Sequence, residues 1–292
     1  MLHQQIIING VLLGGLYACM AIGFSVIWGV MNIINLAHGS MAVIGAYITY
    51  WLFTLTGLDP FLSLPISGAT LFVIGYLLQR CLLNRVLESS VFMVLILTFG
   101  IDLVLKNINV ALFSADIRSV TTAYSGLGFE LLDARVPYAR LAVFLVAVLL
   151  TIAVHMFMER TRLGNAIKAT SFDRDAARLA GVDIMHIYAI TFGIGACMAG
   201  IAGSLTAVFL PFTPFVGDGF TMRAFVVVVL GGLGSIPGAI AGGILLGVIE
   251  NVASVVLSAG LRDAVTFMLL VIILVVQPHG LFGKRFFAEL KA

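Results

Sequence analysis

Residues able to do chemistry are scarce in this chain, and their spacing narrows what they could do. His3, His38, His155, His186 and His279 are scattered, with no HExxH pair to hold a zinc ion, and no GxSxG turn presents a nucleophilic serine. Cys19, Cys81 and Cys197 have no CxxC or CxxH spacing, so they read as small buried hydrophobes rather than metal ligands or disulfide partners. The glycine-rich GGLGSIPG at 231–238 lacks the lysine that a phosphate-cradling loop needs. No catalytic residue, metal or cofactor is expected, and the chain reads as a non-enzyme; if ATP drives it, another chain hydrolyses that ATP. What remains is recognition and proton handling. The groups available are Asn32, Asn35 and His38 around NLAHG, Asp102 four residues before Lys106, Glu250 beside Asn251, and a dense run of acids and bases in DRDAARLAGVD at 173–183.

The elements that must position these groups are set by their solvent. Of 292 residues 61% are hydrophobic and 10% charged, where a soluble domain carries about 25% charged residues. Mean hydropathy is +1.14. Apolar stretches run over 6–28, 36–55, 62–80, 91–113, 138–158, 188–210, 223–257 and 262–282, near or above the ~20 residues that cross a ~30 Å hydrocarbon core. Backbone groups find no water there and barrel-type alternation is absent, so these stretches are expected to be helices. The expected fold is an all-α polytopic membrane protein of about eight transmembrane helices, a single transmembrane domain over 1–292. The first stretch has neither a basic leader nor a small-residue cleavage site and reads as a span rather than a signal peptide. A net charge of +2 says little about partners; the lipid bilayer is one, and no nucleic acid is expected.

Charge placement orients the chain. Arg160, Arg162, Lys168, Arg174 and Arg178 crowd the segment 159–187, against Arg118 and Arg135 in 114–137. By the positive-inside tendency the first is cytoplasmic and the second external. Arg80 and Arg85, and Lys284, Arg285 and Lys291 of the tail, belong to the cytoplasmic side as well. Three apolar runs between 188 and the tail leave the parity wrong, so either the tail lies outside or one run is broken or re-entrant. The run 223–257 is the suspect, because it is too long for one span and contains Gly231, Gly232, Gly234 and Gly238.

Within the charged segment, Ser171 or Asp173 can cap a short helix, Asp175 sits in its first turn, Arg178 lies near its other end and Gly181 can terminate it. Ala176, Leu179 and Ala180 form one stripe with Arg174 and Arg178 opposite. Two or three turns are marginal alone in water, so the helix needs something to lie against. Two readings stay open: a solvated loop with ordinary charge, or a docking helix. Asp175-Ala176-Ala177-x-x-x-Gly181 resembles the EAA loop of ABC importer permeases, with Asp for the usual Glu. NGVLLGGLYACMAIGFSVIWGVMNIINLAHGSMAVIGAY (9–47), ERTRLGNAIKATSFDRDAARLAGVD (159–183) and VVVLGGLGSIPGAIAGGILLGVIE (227–250) resemble the branched-chain amino acid permease family. The resemblance covers nearly the whole chain. It implies a bacterial inner-membrane, multi-pass subunit that pairs with a second permease, as a hetero-dimer, and docks two ATP-binding subunits. It also implies that a periplasmic binding protein delivers the substrate. The cargo it implies is a branched-chain or other hydrophobic or neutral amino acid; related permeases carry amides or urea. The same resemblance makes Asp175, Ala176, Ala177, Arg178 and Gly181 the ATPase-coupling residues of a cytoplasmic loop at 159–187.

Polar groups inside spans mark pathways by default. Asn32, Asn35 and His38 suit a pathway and equally suit helix caps. Asp102 and Lys106 fall on one helical face and can offset each other's cost. Glu250 is either interfacial or on the pathway. Gly231, Gly232, Gly234 and Gly238 either present free N–H groups to a substrate carboxylate or let helices pack closely. GSMAVIGAY (39–47) and GSIPGAIAGG (234–243) hint at an internal repeat. A proton-coupled secondary amino acid transporter, using Asp102, Glu250 or His38 as a relay, is the rival from another class.

Overall fold

The computed structural model describes residues 2–282 apart from 88, 123, 132–133, 258 and 278–279; the tail lysines and arginine at 284–291 lie outside the described residues. Eleven α-helices account for nearly all of its regular structure: α1 (Leu2–Met31), α2 (His38–Thr56), α3 (Leu64–Cys81), α4 (Val91–Phe113), α5 (Tyr138–Arg160), α6 (Arg162–Phe172), α7 (Arg174–Leu179), α8 (Ile184–Phe209), α9 (Gly217–Gly231), α10 (Ile236–Val256) and α11 (Arg262–Val276). A small antiparallel hairpin, β1 (Gly128–Leu131) with β2 (Ala134–Pro137), precedes α5. Eight of the helical segments are long and apolar enough to cross a membrane, and the protein is a multi-pass membrane protein.

The local sequence explains where helices start. Ser90 caps α4, accepting from Met93 N. α3 and α10 open alike, Ser63-Leu64-Pro65 and Ser235-Ile236-Pro237, with proline where its missing N–H costs nothing. The suspect run 223–257 is indeed broken: α9 stops at Gly231, the chain turns through Gly232 and Gly234 at φ of 102° and 78°, and α10 begins at Ile236. Only glycine takes those angles readily.

Loops sort to two ends. At one, Asn84 Nδ2 donates to Met185 O at 3.4 Å, so the Arg80/Arg85 loop meets the charged segment that holds α6 and α7. At the other, Gln5 pairs with Arg135, Arg118 pairs with Phe212, and Tyr124 donates to Asp59 at 3.0 Å. Splitting 223–257 gives four helices from α8 to α11, which brings the end of α11 back to the basic end: Leu281 N and Phe282 N donate to Leu230 O and Gly231 O.

Two helices begin inside the bundle. His38, the first residue of α2, reaches Met20 O with Nε2 at 2.9 Å. Met20 is eleven residues before the end of α1, which is ~16 Å back along a helix long enough to cross a membrane. Gly217, the first residue of α9, packs on Gly39 there: a Cβ added at Gly217 would lie 3.0 Å from Gly39 C. From that meeting point α2 runs to one end and α9 to the other. α1 packs along α10 as α8 packs along α3, so α1–α4 and α8–α11 form an inverted repeat. ACMA at 18–21 recurs at 196–199, and the same interval carries Gly39 onto Gly217. The repeat therefore pairs α2 with α9, not GSMAVIGAY with GSIPGAIAGG; the latter is the turn into α10, whose counterpart is the turn into α3.

Candidate functional site

The charged island folds as a capped helix on the basic end. Asp173 Oδ1 accepts from Asp175 N at 2.9 Å and Ala176 N at 3.0 Å, which fixes the cap on Asp173 rather than Ser171. Gly181 at φ 84° closes the helix, and Val182 N donates back to Ala177 O. α7 is one and a half turns long, shorter than the spacing of its charges suggests. Ala177 is buried against its own chain, whereas Asp175, Ala176, Arg178 and Gly181 are exposed. Leu179 is 90% exposed and Phe172, just before the helix, 75%. Two large apolar side chains thus stand outward beside a rim of charge, and none of the described residues covers them.

The NLAHG group is buried inside the bundle. Asn35 Oδ1 accepts from Ala37 N at 3.1 Å, and among the described residues neither its Nδ2 nor His38 Nδ1 has a partner. Phe24 packs edge-on against the His38 ring. Asn35 therefore closes the turn ahead of α2 and His38 ties the start of α2 to α1, both within a packed core, while Asn32, at φ 54°, is exposed where α1 ends. A residue that sequence reasoning missed completes the cap: Thr221 Oγ1 of α9 accepts from Gly39 N at 2.8 Å and donates to Leu36 O at 3.2 Å.

The glycine stretch sits elsewhere. Gly231 and Gly238 press on each other's backbone, Gly234 touches Gly29 of α1, and Ser235 Oγ accepts from Gly238 N at 3.1 Å. Close packing and a tight turn account for these glycines. The structure does not bring Gly231, Gly232, Gly234 and Gly238 together with Asn35 and His38.

Two ion networks flank α9. Lys106 Nζ lies 3.3 Å from Asp102 Oδ2, as the spacing predicts, and 2.7 Å from Asp218 Oδ1; Ser40 Oγ donates to Asp102 Oδ1 at 2.5 Å. Glu250 is fully buried, accepting from Tyr17 Oη at 2.6 Å, Thr266 Oγ1 at 2.5 Å and Arg223 Nε at 3.0 Å. Arg223 Nη2 goes on to Asp263 Oδ1 at 2.6 Å. Glu250 is thus part of a satisfied network joining α1, α9, α10 and α11. Asp218, Arg223 and Asp263 were overlooked because each lies at the edge of an apolar run; the interval that maps Ser40 onto Asp218 could have found the first. Among the described residues no three His, Cys, Asp or Glu side chains are placed to hold a metal ion.

The family model described as branched-chain amino acid transport system permease component matches residues 6–274. The chain is similar to the high-affinity branched-chain amino acid transport system permease protein LivH of Escherichia coli, at 33% identity over 96% of this chain and 95% of that one. To the corresponding protein BraD of Pseudomonas aeruginosa it is 32% identical over 97% and 96%. It is also 28% identical to LivM, a further permease protein so named in Escherichia coli, over 75% of this chain and 57% of that one. No solved structure matches the chain.

Proposed function

The chain belongs to the branched-chain amino acid transport permease family, and from that premise we propose that it is one of two membrane-spanning subunits of an ABC importer. Its cargo is a branched-chain or other hydrophobic or neutral amino acid, delivered by a periplasmic binding protein across a bacterial inner membrane. ATP is hydrolysed by two partner subunits. Likeness to LivH and to LivM, two permease proteins named for the same kind of transport system, supports pairing with a homologous second permease. The basic end faces the cytoplasm, following the charge asymmetry.

The observation that carries the reading is α7. Its cap, its Gly181 terminus and the pattern Asp175-Ala176-Ala177-x-x-x-Gly181 form a rigid knuckle, and Leu179 projects from it as an uncovered apolar anchor. A large apolar side chain seated in a partner's pocket carries much of an interface's energy. Leu179→Glu is expected to leave the amount of protein in the membrane unchanged while lowering ATP-driven uptake at least tenfold and releasing the ATP-binding subunits on purification. Full uptake with the ATPase still attached would contradict docking at α7. Leu179 is a cleaner probe than Ala177, whose enlargement would disturb its own chain.

A further inference from the structure

The outward surface of the bundle is not uniform. On α5 the stretch 141–154 holds no ionisable residue, and its outward positions include Leu145, Leu149 and Ile152; α3 between Leu64 and Gln79 is likewise uncharged, with Ile66, Val73 and Leu77 outward. Those faces suit lipid. The face made by α4, α9 and α11 differs. Asp218 is 66% exposed and Asp263 72%, while their cations, Lys106 and Arg223, are only 14% and 15% exposed. The carboxylates stand outward and the positive charge lies behind them. Lys106 is seven residues from the end of α4 and Glu250 six from the end of α10, so these two members lie ~9–10 Å inside the helix ends, whereas Asp263 is the second residue of α11 and lies nearer its end. A charge in hydrocarbon costs several kcal/mol, and such residues face a bundle interior, another protein or water.

We infer that the α4–α9–α11 face is where the second permease subunit docks, with Asp218 and Asp263 turned toward the partner and toward the water enclosed between the two chains. The occupant is a homologous chain rather than a second copy: the exposed charges of this face are acidic, with the neighbouring Arg262 partly buried, so a copy would set carboxylates against carboxylates. A partner offering hydrogen-bond donors or basic groups at that depth complements it. α9 is the element held between the two networks, tied by Asp218 to α4 and, through Arg223, to α10 and α11. It begins where α2 begins, inside the bundle. A partner seated on this face would therefore touch the helix that links the two halves of the repeat.

This inference rests on the reading of the chain as one of a permease pair, and the test separates the two. A photoreactive benzoylphenylalanine is placed at Val104 on α4, Met268 on α11, Val73 on α3 or Leu149 on α5, all outward, in membranes holding the complete transporter with its second permease tagged. Positions 104 and 268 are expected to form an adduct with the tagged permease, and positions 73 and 149 to react with lipid only. Adducts from 73 or 149 alone, with the pair still co-purifying, overturn the face and leave the pairing intact. Adducts of the chain with itself from 104 or 268 overturn the choice of occupant. If the chain purifies without any second permease and no position gives an adduct, both fall. As a second reading, Asp218→Leu is expected to lower the amount of co-purified second permease severalfold, whereas on a lipid-facing surface removing the charge would leave it unchanged.

Discussion

Glu250 shows how a costly residue is made tolerable. Its carboxylate is shut away from water, yet a guanidinium, a phenol and a threonine hydroxyl supply donors to both oxygens. Removing one member of a buried pair leaves the other uncompensated, at about 3–5 kcal/mol. Glu250→Ala is therefore expected to lower the thermal unfolding midpoint in detergent markedly. The double change Glu250→Leu with Arg223→Leu should recover part of the loss, as a double-mutant cycle would show. Equal destabilisation by the single and double changes would argue that packing, not charge, matters there. Glu250 was legible in the sequence as an acid inside an apolar run. Arg223 was not assigned to it, because nothing in a linear pattern says that a residue at the edge of one run reaches a carboxylate on the next helix.

At the scale of elements, glycine sets how near two helices come. Gly10 and Gly14 of α1 face Gly247 and Gly243 of α10, and a Cβ added at Gly14 would lie 2.5 Å from Ile244 Cα. That seam is a small-residue interface in which packing replaces the missing hydrophobic drive. Gly14→Ala should cost ~1–3 kcal/mol by overpacking, seen as a lower unfolding midpoint. Gly100→Ala, where nothing lies within 4 Å, should be neutral or gain up to ~1 kcal/mol of helix propensity. If both changes behave alike, the seam is not as tight as drawn. Most helices were legible: apolar runs gave α4 as 91–113 and α5 to within two residues. α9 was only half seen, because its first turns read GDGFTM, glycine-rich and polar. The start of α2 inside the bundle left no mark on hydropathy at all, since a capped helix start and a loop read alike there.

At the scale of the molecule, two halves run in opposite directions, meet at Gly39 and Gly217, and leave one end basic. The gathering of the basic loops at one end could be read from charge and the parity restored by breaking 223–257; the register of the repeat could not, since two glycine-rich segments resembled each other more than the true counterparts do. The candidate site was legible where it is local, in the cap and glycine of α7, and illegible where it is an outward face assembled from three helices. On the proposed function, this chain moves an amino acid only when another subunit hydrolyses ATP. That requirement is tested most directly by reconstituting the chain in liposomes with its second permease, ATP-binding subunits and loaded binding protein, and following labelled leucine with and without a proton gradient. The account predicts uptake that requires ATP and the binding protein, is indifferent to the gradient, and is lost in Leu179→Glu. Uptake by this chain driven by the gradient without nucleotide would contradict it.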